Sequence, residues 1–134
     1  MTESVSTVTV AHRYHEAMSS GDVPAANALF ADDIVWHQPG DNRFSGDHDG
    51  VAAVGELIGG MMAVSDGTFE LRFTGGPMVN GALAVIPVRF SGRRADAEMS
   101  MDGVDMLRVE DGRIAEMWLF SADQDAEDAF WGRG

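Results

Sequence analysis

Asp105 sits in the run Ala97-Glu98-Met99-Ser100-Met101-Asp102-Gly103-Val104-Asp105-Met106-Leu107-Arg108-Val109. A strand displays successive side chains on opposite faces. Ala97, Met99, Met101, Gly103, Asp105, Leu107 and Val109 therefore share one face, and Asp105 is its only charge. An ionised carboxylate is too costly to bury alone, so it must find partners, meet water in a cavity, or take up a proton. In the last two cases it is an acid or a proton shuttle. In the first it is a structural Asp held by a backbone group or a buried Arg.

Three more side chains could join it. Tyr14 falls on the apolar stripe of the first helical segment with Val10, Ala17 and Met18, where a phenol is either a hydrogen-bond donor to a ligand or a core residue with its hydroxyl satisfied. His37 titrates near neutrality, which suits a general base or acid. Parity opposes it: if Trp36 and Gln38 point inward, His37 points away unless a bulge before Pro39 turns it. Gln38, in the other parity, would orient a carbonyl or hydroxyl. His12, His15 and Glu16 share a helix face, but no further ligand cluster follows, so no metal is expected. His48, between Asp47 and Asp49, reads as surface. Asp123, Asp125 and Asp128 lack the glycine and spacing of a calcium loop, and no glycine motif cradles phosphate, so no cofactor is implied.

The elements that must position these residues follow from periodicity and punctuation. Thr7–Ser19 reads as a helix, stopped at Gly21-Asp22, and a second runs from Val23 to Phe30 with Pro24 in its first turn. Ile34–Gln38 is a short strand ended by Pro39-Gly40. Asp41–Gly50 is loop by composition, long enough for a rim or lid. Val51–Val64 is a third helix, weakened by Gly55, Gly59 and Gly60. Phe69, Leu71 and Phe73 alternate with Glu70 and Arg72. Ala82–Phe90 is a nearly continuous apolar strand whose Pro87 implies an edge or a bulge. Ala97–Ser121 is a hairpin turning at Glu110-Asp111-Gly112. Residues 1–6 read as a flexible start, and 122–134 as an acidic tail with Phe130 and Trp131 as possible anchors. Helices grouped before a meander of strands mean one α+β domain over residues 1–134, with three helices on one face of a curved antiparallel sheet. Such a sheet leaves a cone with a mouth. Trp36, Phe69, Phe73, Met99, Met101 and Met117 are the candidates for its apolar wall, methionine suiting an adaptable cavity.

Bulk properties narrow the partners. The 134 residues carry nine basic and twenty-two acidic side chains, a net charge of −13, which argues against nucleic acid and anionic membranes. There is no cysteine, hence no disulfide framework or thiolate chemistry. No leader pattern and no span-length apolar run are present, so a cytoplasmic protein is the expectation.

The run His12-Arg13-Tyr14-His15-Glu16 through Gln38-Pro39 resembles the opening of ketosteroid isomerase, with Arg13, Tyr14, Glu16, Gly21, Asp22, Ala25, Phe30, Ala31, Asp32, Asp33 and Pro39 at matching spacing. Val104-Asp105-Met106-Leu107-Arg108-Val109-Glu110-Asp111-Gly112-Arg113-Ile114 is similar to the isomerase strand that holds its protonated aspartate, with a turn one residue shorter. Trp36-His37-Gln38-Pro39-Gly40, Ser45–Gly50, Asp111–Trp118 and the pattern Asp123-x-Asp125-Ala126-x-Asp128-Ala129-Phe130-Trp131 resemble the SnoaL-like polyketide cyclases. Both groups belong to the nuclear transport factor 2-like superfamily, whose cone-shaped, cystatin-like α+β fold the resemblance implies along nearly the whole chain. It also implies Tyr14 as the oxyanion tyrosine and Asp105 as the neutral acid that donates to the same oxygen. Where the isomerase has its general-base aspartate, this chain has Gln38, which cannot take up a proton at neutral pH. Steroid isomerisation by that mechanism is not expected.

The reading that results is a cofactor-free acid–base enzyme cyclising or isomerising a hydrophobic, carbonyl-bearing, polyketide-like small molecule. Asp105, Tyr14 and His37 are its catalytic candidates. The resemblance implies a homodimer. A binding or assembly module without turnover is the alternative. An epoxide-opening hydrolase or cyclase is a third, opposed by Gly103 where the resembling limonene epoxide hydrolases carry an Arg two residues before the Asp.

Overall fold

The computed structural model describes residues 2–133, and side chains from Thr7 onward. Helix α1 (Thr2–Ser19) starts five residues before the expected Thr7. Its buried stripe is Val10, Ala11, Tyr14 and Ala17, the helical spacing that sets one face against a sheet. Helix α2 (Val23–Asn27) opens on Asp22, whose carboxylate accepts from the Ala25 N–H, with Pro24 in the first turn. It is shorter than expected, because Phe30 already belongs to strand β1 (Phe30–Gln38).

Strand β2 (Gly46–Asp49) lies inside the segment expected as loop. Its polar residues have little strand propensity, and antiparallel pairing of Val35 to Gln38 with Asp49 to Gly46 holds them extended. Helix α3 (Val51–Val64) has the expected bounds and buries Val54, Leu57 and Met61. Strands β3 (Glu70–Phe73), β4 (Met78–Asn80), β5 (Leu83–Arg94), β6 (Ala97–Glu110) and β7 (Arg113–Ser121) follow. Asp111 and Gly112 both have positive φ, 52° and 76°, and join β6 to β7 in a two-residue turn, the backbone that matches strand twist in a tight hairpin.

The sheet order is β2-β1-β7-β6-β5-β3, with β4 also beside β5. The pairing of β1 with β7 is parallel, so the sheet is mixed rather than wholly antiparallel. Pro87 is not on an edge strand. β5 pairs with β6 on one flank and with β4 and then β3 on the other. The Pro87 carbonyl accepts from Thr74, and the N and C=O of a strand residue point to the same side. The missing N–H therefore falls in the break between β3 and β4, where no ladder bond is lost.

The tail is a fourth helix, α4 (Gln124–Trp131), capped by Asp123 onto the Ala126 N–H. Asp125 and Glu127 sit in its first turn, where negative charge suits the helix dipole. Phe130 and Trp131 are buried as expected, and α4 packs on β6 and β7. The result is an α+β cone: a curved seven-stranded sheet with four helices, its core running from Ile34, Ile86, Leu107 and Ile114 to Trp131. No helix among the described residues is long and apolar enough to cross a membrane.

Candidate active site

The β6 alternation aims Asp105 inward as expected: Met99, Met101, Asp105, Leu107 and Val109 are buried while Glu98, Ser100 and Asp102 are exposed. Asp105 opens onto a cavity of about 230 Å³ inside the cone. Helices α1, α2 and α3 give the cavity Tyr14, Met18, Ala26, Ile58 and Met61. The sheet gives it Phe30, Trp36, Gln38, Leu71, Val88, Phe90 and Leu119, with Phe69 just before β3. The wall is overwhelmingly apolar.

The Asp105 residue is 3% exposed and receives no hydrogen bond from any described residue. Every described side-chain N or O that is sealed from solvent has a partner, so the Asp105 oxygens are reached from the cavity. Burial pushes its pKa up to about 7, because the apolar wall disfavours the charged form. The Tyr14 hydroxyl likewise has no partner among the described residues. Its pKa is raised by burial and then by the Asp105 charge, so it stays a donor. Tyr14 is held between Phe30 and Phe73, ring centroids 5.9 and 5.7 Å away, and Phe30 meets Trp36 edge-on.

Trp36 and Gln38 point inward together. The Trp36 indole N–H donates to Gln38 Oε1 over 3.0 Å. An indole can only donate, so the amide's orientation is settled and its NH₂ remains as a donor to the cavity.

His37 does not reach the cavity. With Trp36 and Gln38 both buried there is no bulge before Pro39 to turn it, and it lies on the opposite face of β1. There Nδ1 meets Asp47 at 2.7 Å and Nε2 meets Glu116 at 2.6 Å, while the ring stacks on Trp118. Partial burial alone would lower its pKa. The hydrogen bonds with Glu116 and Asp47 outweigh that and leave it raised. Glu116 is lowered by His37 and Arg108 against its partial burial.

Four wall candidates are core rather than lining. Phe73 backs Tyr14. Met117 pairs with Leu107 and Trp36 and has no exposure at all. Met99 and Met101 are buried farther along β6, where Met99 faces Gly92 and Gly92 in turn lies against Phe130 of α4. Neither lines the cavity. The His15 Nε2–H donates to the Gly75 carbonyl, and the His48 Nε2–H to that of Phe44.

Sequence reasoning misses Ser121 and Glu127, both of which line the cavity. Glu127 is 4% exposed. Its signal was its spacing, three and four residues before Phe130 and Trp131, which puts all three on one helix face. The acidity of the tail conceals it.

The SnoaL-like domain family model matches residues 11–117. A protein of unknown function with a cystatin-like fold from Xanthomonas campestris is 45% identical, with 95% of this chain and 98% of that one covered at a TM-score of 0.86. Bal32a, from a soil-derived mobile gene cassette, is 24% identical over 96% and 98%, TM-score 0.84. An NTF2-like protein from Burkholderia xenovorans is 22% identical over 96% and 98%, TM-score 0.72. No curated protein sequence matches. With the match spanning most of the cone and both the Tyr14 and Asp105 positions, the chain belongs to the SnoaL-like domain family.

Proposed function

We propose that this protein is a cofactor-independent acid–base enzyme that isomerises or cyclises a hydrophobic, carbonyl-bearing, polyketide-like molecule in the cone cavity. One observation carries the reading: a carboxyl titrating near pH 7 opens onto an apolar cavity without a hydrogen bond of its own, beside a phenol in the same condition. In the proposed reaction Tyr14 and neutral Asp105 donate to the carbonyl oxygen as it gains charge, each such contact being worth on the order of 3 kcal/mol in the transition state. The Gln38 amide is a third donor. As the enol forms, Asp105 passes its proton to that oxygen and its carboxylate takes up the proton leaving the neighbouring carbon, which restores the acid. His37, tied to Asp47 and Glu116, has no part in this scheme.

A binding module without turnover is favoured by Gln38, an amide at the position where a base would stand. Epoxide opening through an Asp-Arg-Asp set is disfavoured. No arginine lines the cavity among the described residues, and a side chain at Gly103 would run into the backbone carbonyl of Phe120.

Hydrogen–deuterium exchange at the carbon next to the carbonyl of 1-tetralone, followed by NMR in D₂O, separates the first two readings. The enzyme accelerates exchange, and Asp105→Asn or Tyr14→Phe lowers the rate by about 10²-fold with folding intact. Exchange no faster than in buffer, or unchanged in both variants, overturns the enzymatic reading.

A further inference from the structure

The cavity's buried polar groups divide by kind. Tyr14, the Gln38 amide and neutral Asp105 offer hydrogens. Glu127 offers only acceptor positions. It comes from α4, at the other end of the sequence from the helix that brings Tyr14, and Ser121, its hydrogen-bond partner, also lines the cavity.

A carboxylate has about four lone-pair positions. At Glu127 three are filled by described residues. Oε1 accepts from the Ser121 hydroxyl at 2.6 Å and from the Gln124 amide at 3.1 Å, and Oε2 accepts from the Trp131 indole at 3.1 Å. One position on Oε2 is left. The three bonds fix the side chain rigidly at the cavity wall, which is the condition for a directional contact. An amide or hydroxyl partner set of this kind would suffice to hold α4 down; it does not require the residue to line a cavity.

We infer that Glu127, steadied by Ser121, Gln124 and Trp131, is a ligand-binding residue that accepts a hydrogen bond from a hydroxyl group of the substrate. The inference rests on the proposed function above and narrows its substrate class to neutral, apolar carbonyl compounds that also carry a hydroxyl. The carbonyl lies against Tyr14 and Asp105 and the hydroxyl against Glu127. A cationic donor is rejected because the wall of Trp36, Leu71, Phe90 and Met61 would have to desolvate it. An anionic group at this end would face the carboxylate directly.

Calorimetric titration with 1-tetralone, 6-methoxy-1-tetralone and 6-hydroxy-1-tetralone tests this on the intact protein. The wild type should bind the hydroxy compound about tenfold or more tighter than the methoxy compound, the scale of one hydrogen bond to a charged acceptor. Glu127→Gln should bring that ratio close to one while leaving the affinity for 1-tetralone unchanged. If Glu127→Gln does not fold, because its NH₂ opposes the Trp131 N–H, Ser121→Ala decides: it removes one of the three bonds that steady Glu127, so the ratio should fall. Equal binding of hydroxy and methoxy compounds by the wild type overturns the Glu127 role alone. So does a uniform loss across all three ligands in Glu127→Gln, or an unchanged ratio in Ser121→Ala. Failure of all three ketones to bind overturns the proposed function as well.

Discussion

At the scale of single residues, Asp105 ties stability to pH. Its pKa in the fold, about 7, lies above its ordinary value of 3.8. Between these values the unfolded chain has lost the proton and the folded chain still binds it, so ionisation favours unfolding. The stability that neutral Asp105 allows is full below about pH 4, declines as pH rises through 7, and then levels off. Asp105→Asn should therefore raise the melting temperature at pH 8, by an amount on the order of a few kcal/mol in stability, with the gain shrinking toward pH 4. Thermal unfolding at several pH values measures it; a gain independent of pH would contradict burial as the cause. Activity should fall as pH rises through about 7.

The His37 cluster has the opposite profile at its acid edge. The raised imidazole stabilises most below its ordinary 6.5 and loses that contribution as pH climbs past its folded value. The lowered Glu116 stabilises above its ordinary 4.5 and loses it on acidification. Together they hold best between about pH 4.5 and 6.5. His37→Gln should lower the melting temperature in that window and leave the pH profile of catalysis unmoved. A shifted profile would return His37 to the chemistry. The inward aim of Asp105 and the outward parity of His37 are both legible in alternation along a strand. Whether a bulge reverses that parity is not, since it depends on pairing with β2 and β7. Glu127 is hidden for another reason: composition marks its segment as solvated, while its spacing to Phe130 and Trp131 marks it as buried.

Among the elements, the hairpin of β6 and β7 supports the site, and Gly103 is its tightest point. A Cβ there would meet the Phe120 carbonyl, with Phe90 and Val88 also close. Gly103→Ala should cost roughly 2 kcal/mol or more, since backbone on β7 rather than a flexible side chain must yield. Because Gly103 lies two residues from Asp105 and pairs with Ser121, the same change should weaken ligand binding too. Chemical denaturation and the tetralone titration read the two effects, and a neutral outcome in both would show the strands are free to separate. The turn, the third helix and the strands of this hairpin can be read from local pattern. β2 cannot, because Gly46-Asp47-His48-Asp49 becomes a strand only through its neighbour. Nor can the position of Pro87 in the break between β3 and β4, since no local signal records which strands flank it.

For the whole molecule, the parallel union of β1 and β7 has a kinetic consequence. The β5–β6–β7 meander assembles from neighbours in sequence, whereas β1 must find β7 across the five strands between them, and such distant closures come late in folding. Tyr14 and Asp105 lie on either side of that closure in the sequence, and their own meeting, α1 on β6, is likewise distant in sequence and late. A ligand that bridges them should then leave the refolding rate almost untouched and slow unfolding in proportion to its occupancy. Stopped-flow traces with and without 1-tetralone would reveal a shift confined to the unfolding limb, and a matching acceleration of refolding would place the two halves together from the start.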